Sequence, residues 1–190
     1  MLTFQQGLFE SKPCYPAMDF IAGGCYSRVW AHPDGHAVIK RGSEDDGTLA
    51  YLYWCFEYQQ ACGQPMKGMP EIYSLVLLDG AGYVCTMKKY QQVDDSWFGG
   101  LDIRSYSLNE HLQGTSVPYM GDLIAQWYRL SEAVFGDPYA TDLHSGNFLM
   151  DGDTLVMTDP CGYREFERSD LIKLKHTLCA GPEHFSLSLN

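Results

Sequence analysis

The chain has 190 residues, 45% hydrophobic and 14% aromatic, which is enough for a real core and too apolar for a disordered protein. A net charge of −11 with thirteen Lys and Arg excludes the broad phosphate neutralisation that nonspecific nucleic-acid binding needs. Seven cysteines without a C-x-x-C pair suit neither a disulfide framework nor a zinc site, and no run approaches the ~18 apolar residues of a membrane span. The first residues, "MLTFQQGLFESKPCYP", lack a positive region followed by an apolar core, so a protein of the reducing cytosol is expected.

In chain order, "FIA" leads into Gly23-Gly24 and "SRVWA" alternates as a strand. The turn "PDG" at 33–35 then separates it from "HAVIK". Residues 47–62, "GTLAYLYWCFEYQQAC", lack proline and stop at Gly63. Leu49, Leu52, Tyr53 and Phe56 recur at helical spacing there, as on an amphipathic helix. "EIYSLVLL", the turn "DGAG" and "YVCTMKKY" make a hairpin, so the first ninety residues read βββαββ.

The polar, glycine-bearing "QQVDDSWFGGLD" from residue 91 reads as a connector. Residues 119–136 follow as a helix, with Leu123, Ile124, Trp127, Leu130 and Val134 on one stripe and Gly136 at its end. A short hairpin, "NFLMDGDTLVMTD", and a last helix near "RSDLIKLKHTL" complete the chain. The expected class is α+β. A small antiparallel lobe over 1–90 precedes a mainly helical one over 91–190.

Transfer of a phosphoryl group from a nucleotide needs a close backbone turn over the phosphates and a cation to grip them. It also needs oxygen ligands for magnesium and a carboxylate near the acceptor. Gly23, Gly24 and Ser27 lie between two strands, where the missing Cβ lets N–H groups approach phosphate. Lys40 ends the third strand; Asp142 and Asn147 bracket the loop in "ATDLHSGNFLM", and Asp159 follows the next hairpin at "TDP". Singly, these read as a turn, a solvated strand end and an Asx-rich turn. Their order, and the hairpin that can fold Asp142 and Asp159 onto one site, favour the chemical reading.

"DLHSGN" resembles the catalytic loop of the aminoglycoside-kinase branch of the protein-kinase-like superfamily. More narrowly, "AGGCYSRVWAHPDGHAVIKRG" and "DLHSGNFLMDGDTLVMTDP" resemble the early serine/threonine protein kinases of T-seven-like short-tailed phages, the Autographiviridae. That resemblance spans roughly residues 19–165 and is tight at the two quoted segments. It implies a minimal two-lobed kinase-like fold, with a five-stranded antiparallel N-lobe carrying one helix and a truncated C-lobe. By position it makes Gly23, Gly24 and Ser27 the phosphate-covering loop and gives Lys40 the grip on the α and β phosphates. Asp142 becomes the catalytic carboxylate, Asn147 and Asp159 the magnesium ligands, and His144 takes the slot where many protein kinases carry a lysine. Met87, Lys88, Lys89 and Tyr90 become the hinge against adenine. Glu57, seventeen residues after Lys40, has the spacing of the acid that pairs with that lysine, and Asp46 is its rival, with a competing reading as a helix cap.

The chain departs from the general kinase pattern in several places. Ala140-Thr141 stand where His-Arg is usual, Pro160-Cys161 replace Phe-Gly, and no Ala-Pro-Glu occurs. Thirty-one residues follow Asp159, which leaves little acceptor-binding lobe; a homodimer partner is one way to supply that surface. The resemblance implies an ATP- and magnesium-dependent serine/threonine protein kinase acting on host proteins, and on itself, in the cytoplasm of an infected cell. Such a kinase would help shut off or reprogramme host functions, without touching nucleic acid or membrane. One rival is a small-molecule kinase of the aminoglycoside-phosphotransferase kind, which the acidic charge suits. The other is a kinase-like binder that blocks a host protein. The scattered histidines, the aromatic run Tyr51–Tyr58 and Cys161 are expected to be surface or packing residues.

Overall fold

The structure, a computed structural model, describes residues 18–43, 45–78, 82–93, 118–136, 142–143, 145–162 and 168–179. Strands β1 (Phe20–Gly23), β2 (Ser27–Ala31) and β3 (Ala37–Gly42) precede helix α1 (Thr48–Cys62). Strands β4 (Ile72–Leu78) and β5 (Gly82–Lys88) follow, as the βββαββ reading expected. The five form one antiparallel sheet in the order β1-β2-β3-β5-β4. The turn into β3 closes through Asp34, whose Oδ1 accepts the His36 and Ala37 N–H groups at 2.8 and 3.1 Å.

A short strand β6 (Gln91–Gln92) then pairs with the hairpin β7 (Phe148–Asp151) and β8 (Thr154–Met157) in a second, three-stranded sheet. Sequence reading put these two glutamines in a polar connector; pairing with Leu149 and Met150 makes them a strand. Helices α2 (Pro118–Phe135) and α3 (Arg168–Cys179) lie where helical periodicity placed them. The plan is α+β: a five-stranded antiparallel sheet with one helix, then a three-stranded sheet with two described helices.

The register of the large sheet decides what faces inward. Val29, Lys40 and Cys85 are cross-strand partners in one row, Val38 and Met87 in the next, and Gly42 and Tyr83 in a third. Directly opposed residues share a face, so one charged side chain stands among apolar neighbours and one glycine stands beside a tyrosine.

Helix α1 corrects the amphipathic expectation. Every residue from Thr48 to Phe56 is buried, because α1 has β4 on one side and α3 on another. A helix apolar all round belongs in the interior. Trp54 stacks on Trp127 of α2 with ring centroids 5.6 Å apart, and Tyr51 meets the edges of both. The aromatic run is therefore packing, as expected. The Tyr51 hydroxyl also donates to the Met157 carbonyl at 3.0 Å, tying α1 to the end of β8.

Candidate active site

Lys40 is 4% exposed, so its charge must find partners inside. Its Nζ lies 2.7 Å from Asp159 Oδ2 and 3.9 Å from Asp46 Oδ2. Burial works against the charged lysine, yet the Asp159 and Asp46 carboxylates outweigh it and hold its pKa above the ordinary value. Asp159 is a part-exposed residue 119 positions away in sequence, and its other oxygen accepts the Thr48 hydroxyl at the start of α1. The same hydroxyl lies 3.3 Å from the Cys161 carbonyl. Three separate segments thus meet at one acid.

Asp46 is buried and bound on both oxygens: Oδ2 accepts the Tyr83 hydroxyl at 2.7 Å and Oδ1 the Thr48 N–H at 3.1 Å. Spacing left Glu57 and Asp46 as rival partners of Lys40, and the structure puts Asp46 beside it. Glu57 makes no ion pair with Lys40 and does not line the cavity described below. Thr48, which faces Asp159, opens α1, and Glu57 lies nine residues further on. At about 100° per residue that is roughly two and a half turns, so Glu57 points to the opposite side. Asp46 needs no helix rotation, since it sits in the short link between β3 and α1.

The second cluster forms around the loop before β7. Asp142 is exposed and anchored by its backbone, whose N–H donates to the Pro160 carbonyl at 2.8 Å. Asn147 is buried and gives its amide NH2 to the Asp142 carbonyl, which leaves its side-chain oxygen as an acceptor. The Asn147 carbonyl accepts the Thr158 N–H at 2.9 Å and the Thr158 hydroxyl at 3.1 Å. The loop carrying Asp142 and the segment carrying Asp159 are therefore stitched to each other. Gly162 joins them to α1, since its carbonyl accepts the Gly47 N–H at 3.2 Å.

Both clusters open on one cavity of about 520 Å³ between the two sheets. Its walls include Lys40, Asp142, Asn147 and Asp159, the turn residues Gly23, Gly24 and Ser27, and the hinge candidates Met87, Lys88, Lys89 and Tyr90. Val29, Val38, Met87 and Leu149 supply apolar surface on which a flat ring can lie, in the same cavity as the charged groups. The turn is closed by the Gly24 N–H donating to the Ser27 carbonyl at 2.9 Å. Of the residues named for the site from sequence, Glu57 falls outside the cavity and His144 lies outside the described residues.

Asn147 and Asp159 offer an amide oxygen and a carboxylate, hard donors of the kind magnesium takes when phosphates and water complete its shell. Each carboxylate oxygen keeps a lone pair beside its present hydrogen bond, so the donor set fits that ion. Cys161 is a packed thiol, as expected: burial, and then the Asp159 charge, push its pKa well up. Thr48, Tyr83 and Thr158 were missed by sequence reading. Thr158 stands in the quoted "TDP", but no sequence signal marks Tyr83, because its role depends on the β3–β5 register.

No family model and no curated protein matches the sequence. Among solved structures, the chain is similar to the GDP complex of a mutant aminoglycoside 2'-phosphotransferase IIIa. The TM-score is 0.36 at 11% identity, over 78% of this chain and 70% of that one. It is also similar to the GDP and kanamycin complex of APH(2'')-IIIa, with a TM-score of 0.38 at 11% identity, over 90% of this chain and 82% of that one. No described helix is long and apolar enough to cross a membrane.

Proposed function

We propose that the chain is an ATP- and magnesium-dependent phosphotransferase of the protein-kinase-like kind, with serine or threonine hydroxyls of host proteins as acceptors. The observation that carries the phosphotransfer reading is convergence. Lys40, Asp142, Asn147, Asp159 and the glycine turn come from distant parts of the chain and line one cavity. The protein acceptor and the phage setting rest on the sequence resemblance, and so does the division into lobes at residue 90.

In this reading adenine lies against Val29, Val38, Met87 and Leu149. The N–H groups of Lys88 and Lys89 already donate to the Glu71 and His36 carbonyls, at 3.0 and 2.8 Å. Polar recognition of the base therefore falls to carbonyls of this segment and to Tyr90. Lys40 grips the phosphates from one side and turn N–H groups from the other. Asn147 and Asp159 would hold magnesium, which when bound supplies charge neutralisation at the phosphate oxygens. Asp142 is exposed in the cavity, so an acceptor hydroxyl can reach it; it orients that hydroxyl and takes its proton late. Most of the rate then comes from positioning and fixed charge.

A small-molecule acceptor is the second reading. Asp151 and Asp153 are exposed on the β7–β8 hairpin, and the chain carries −11 charge, which suits a cationic substrate. One assay separates the readings: the full chain with γ-labelled ATP, magnesium and bacterial lysate, beside Asp142→Ala. Labelled protein bands that vanish in the variant support the proposal. Label confined to small molecules moves the acceptor to the second reading. No transfer, with lysate proteins still bound, overturns both in favour of a binder.

A further inference from the structure

Asp159 has two roles that compete. In the structure it holds Lys40 at 2.7 Å, and its other oxygen is taken by Thr48. In the phosphotransfer reading, on which the following step rests, the same carboxylate serves the metal. Lys40 then needs another anchor, or its long side chain is free to leave the phosphates.

The remaining acid is Asp46, 3.9 Å from Nζ, and its surroundings are unusually well determined. Tyr83 is fully buried and donates its hydroxyl to Asp46 Oδ2 at 2.7 Å. The Thr48 N–H occupies Oδ1, and the Asp46 N–H reaches the Ser43 carbonyl at 3.3 Å. Gly42, opposite Tyr83 in the β3–β5 register, leaves the room for this. A Cβ at position 42 would overlap the tyrosine ring and sit 2.6 Å from Asp46 Oδ2. Helix capping alone accounts for the Thr48 contact and not for the rest: the cap position itself is Gly47, without a side-chain cap bond. A missing side chain, a ring filling its place and a hydroxyl aimed at one carboxylate oxygen all serve to fix the acid beside the lysine.

We infer that Asp46 and Tyr83 are a positioning pair for Lys40: the Tyr83 hydroxyl fixes the Asp46 carboxylate, and Asp46 keeps the lysine aimed at the nucleotide phosphates when Asp159 turns to the metal. The pair takes the role for which spacing offered Glu57 as the other candidate. Burial and the Asp46 charge hold the Tyr83 pKa well above its ordinary value, so the hydroxyl stays a donor.

The test compares a ligand with phosphates to one without. Binding of ADP with magnesium, and of adenosine, is measured by calorimetry on the full chain and on Asp46→Asn, Tyr83→Phe and Gly42→Ala, with a melting curve for each. Asp46→Asn should weaken ADP about tenfold and leave adenosine unchanged. Tyr83→Phe should weaken ADP about threefold, again without touching adenosine. The double variant should bind ADP no worse than Asp46→Asn, since both act through one carboxylate. Equal loss of both ligands would show that the pair only supports the fold, and unchanged ADP binding would show that Lys40 needs no second anchor; either overturns the inference. If Asp46→Asn or Gly42→Ala does not fold, Tyr83→Phe, which removes one oxygen, carries the comparison alone. Failure of the wild-type chain to bind ADP would overturn the nucleotide reading beneath it.

Discussion

On one side of the cavity Lys40, Asp46 and Asn147 are almost closed to solvent, and bonds to α1, β5 and the segment after β8 fix them. On the other side all of β1 is exposed, as are Gly24, Cys25 and Tyr26 in the turn that follows. The contrast follows from what each wall contributes. Charges that leave water must be matched and held, so they sit on packed elements with partners on several sides. Backbone N–H groups need no partner side chain, and an edge hairpin that presents them can stay at the surface. In the proposed reading the fixed charges belong to the packed wall and the phosphate cover to the exposed one.

Substitutions should therefore separate the walls. The largest effect is expected among the acids that open from the charged wall into the cavity: Asp142→Ala or Asp159→Ala should lower the transfer rate by a factor on the order of 10² to 10⁴, measured as kcat with γ-labelled ATP. Lys40→Met should cost about 10² in kcat/KM. Removing the cation also leaves Asp46 buried beside Asp159 without its counter-charge, so the melting temperature should fall as well. The exposed side should respond far less. A Cβ at Gly24 meets nothing within 4 Å, so Gly24→Ala should fold normally and raise the KM for ATP about two- to fivefold.

The smallest effect needs no substitution. Burial pushes Cys85 up to about 12, and Cys55 and Cys161 also lie well above their ordinary value, so none of the three is a thiolate at pH 8. Peptide mapping after iodoacetamide treatment at pH 8 should find Cys25 and Cys62, both exposed, and miss those three. ATP should slow labelling of Cys25, which lines the cavity, and leave Cys62 unchanged. Protection of both, or of neither, would mean that the turn does not cover the ligand.

The same division explains what could be read from sequence. The succession of elements along the chain, the helix limits and the β7–β8 hairpin follow local periodicity and turn chemistry, and they were legible; the β3–β5 pairing was not. Lys40, Asp142, Asn147 and Asp159 could be singled out by their order, spacing and resemblance, and all four line the cavity; their roles belong to the proposal. The choice between Glu57 and Asp46 stayed open because spacing along the chain says nothing about rotation around α1, and that rotation is set by how Thr48 meets Asp159. Tyr83 and Gly42 were invisible for a related reason. Neither has a local signature, and their meeting depends on the register of two strands about forty residues apart. The all-round burial of Thr48 to Phe56 in α1 likewise comes from α2 and α3 packing over it, and the helix's own sequence does not report that.

The central claim is that Lys40, Asn147 and Asp159 meet to hold one nucleotide with its metal. ADP affinity measured in magnesium and again in EDTA tests it most directly, on the wild type and on Asp159→Ala. The wild type should bind ADP several-fold tighter with magnesium, and Asp159→Ala should lose that gain while keeping its affinity in EDTA within about threefold. A magnesium gain that survives in Asp159→Ala, or ADP binding that never depended on magnesium, would contradict the account.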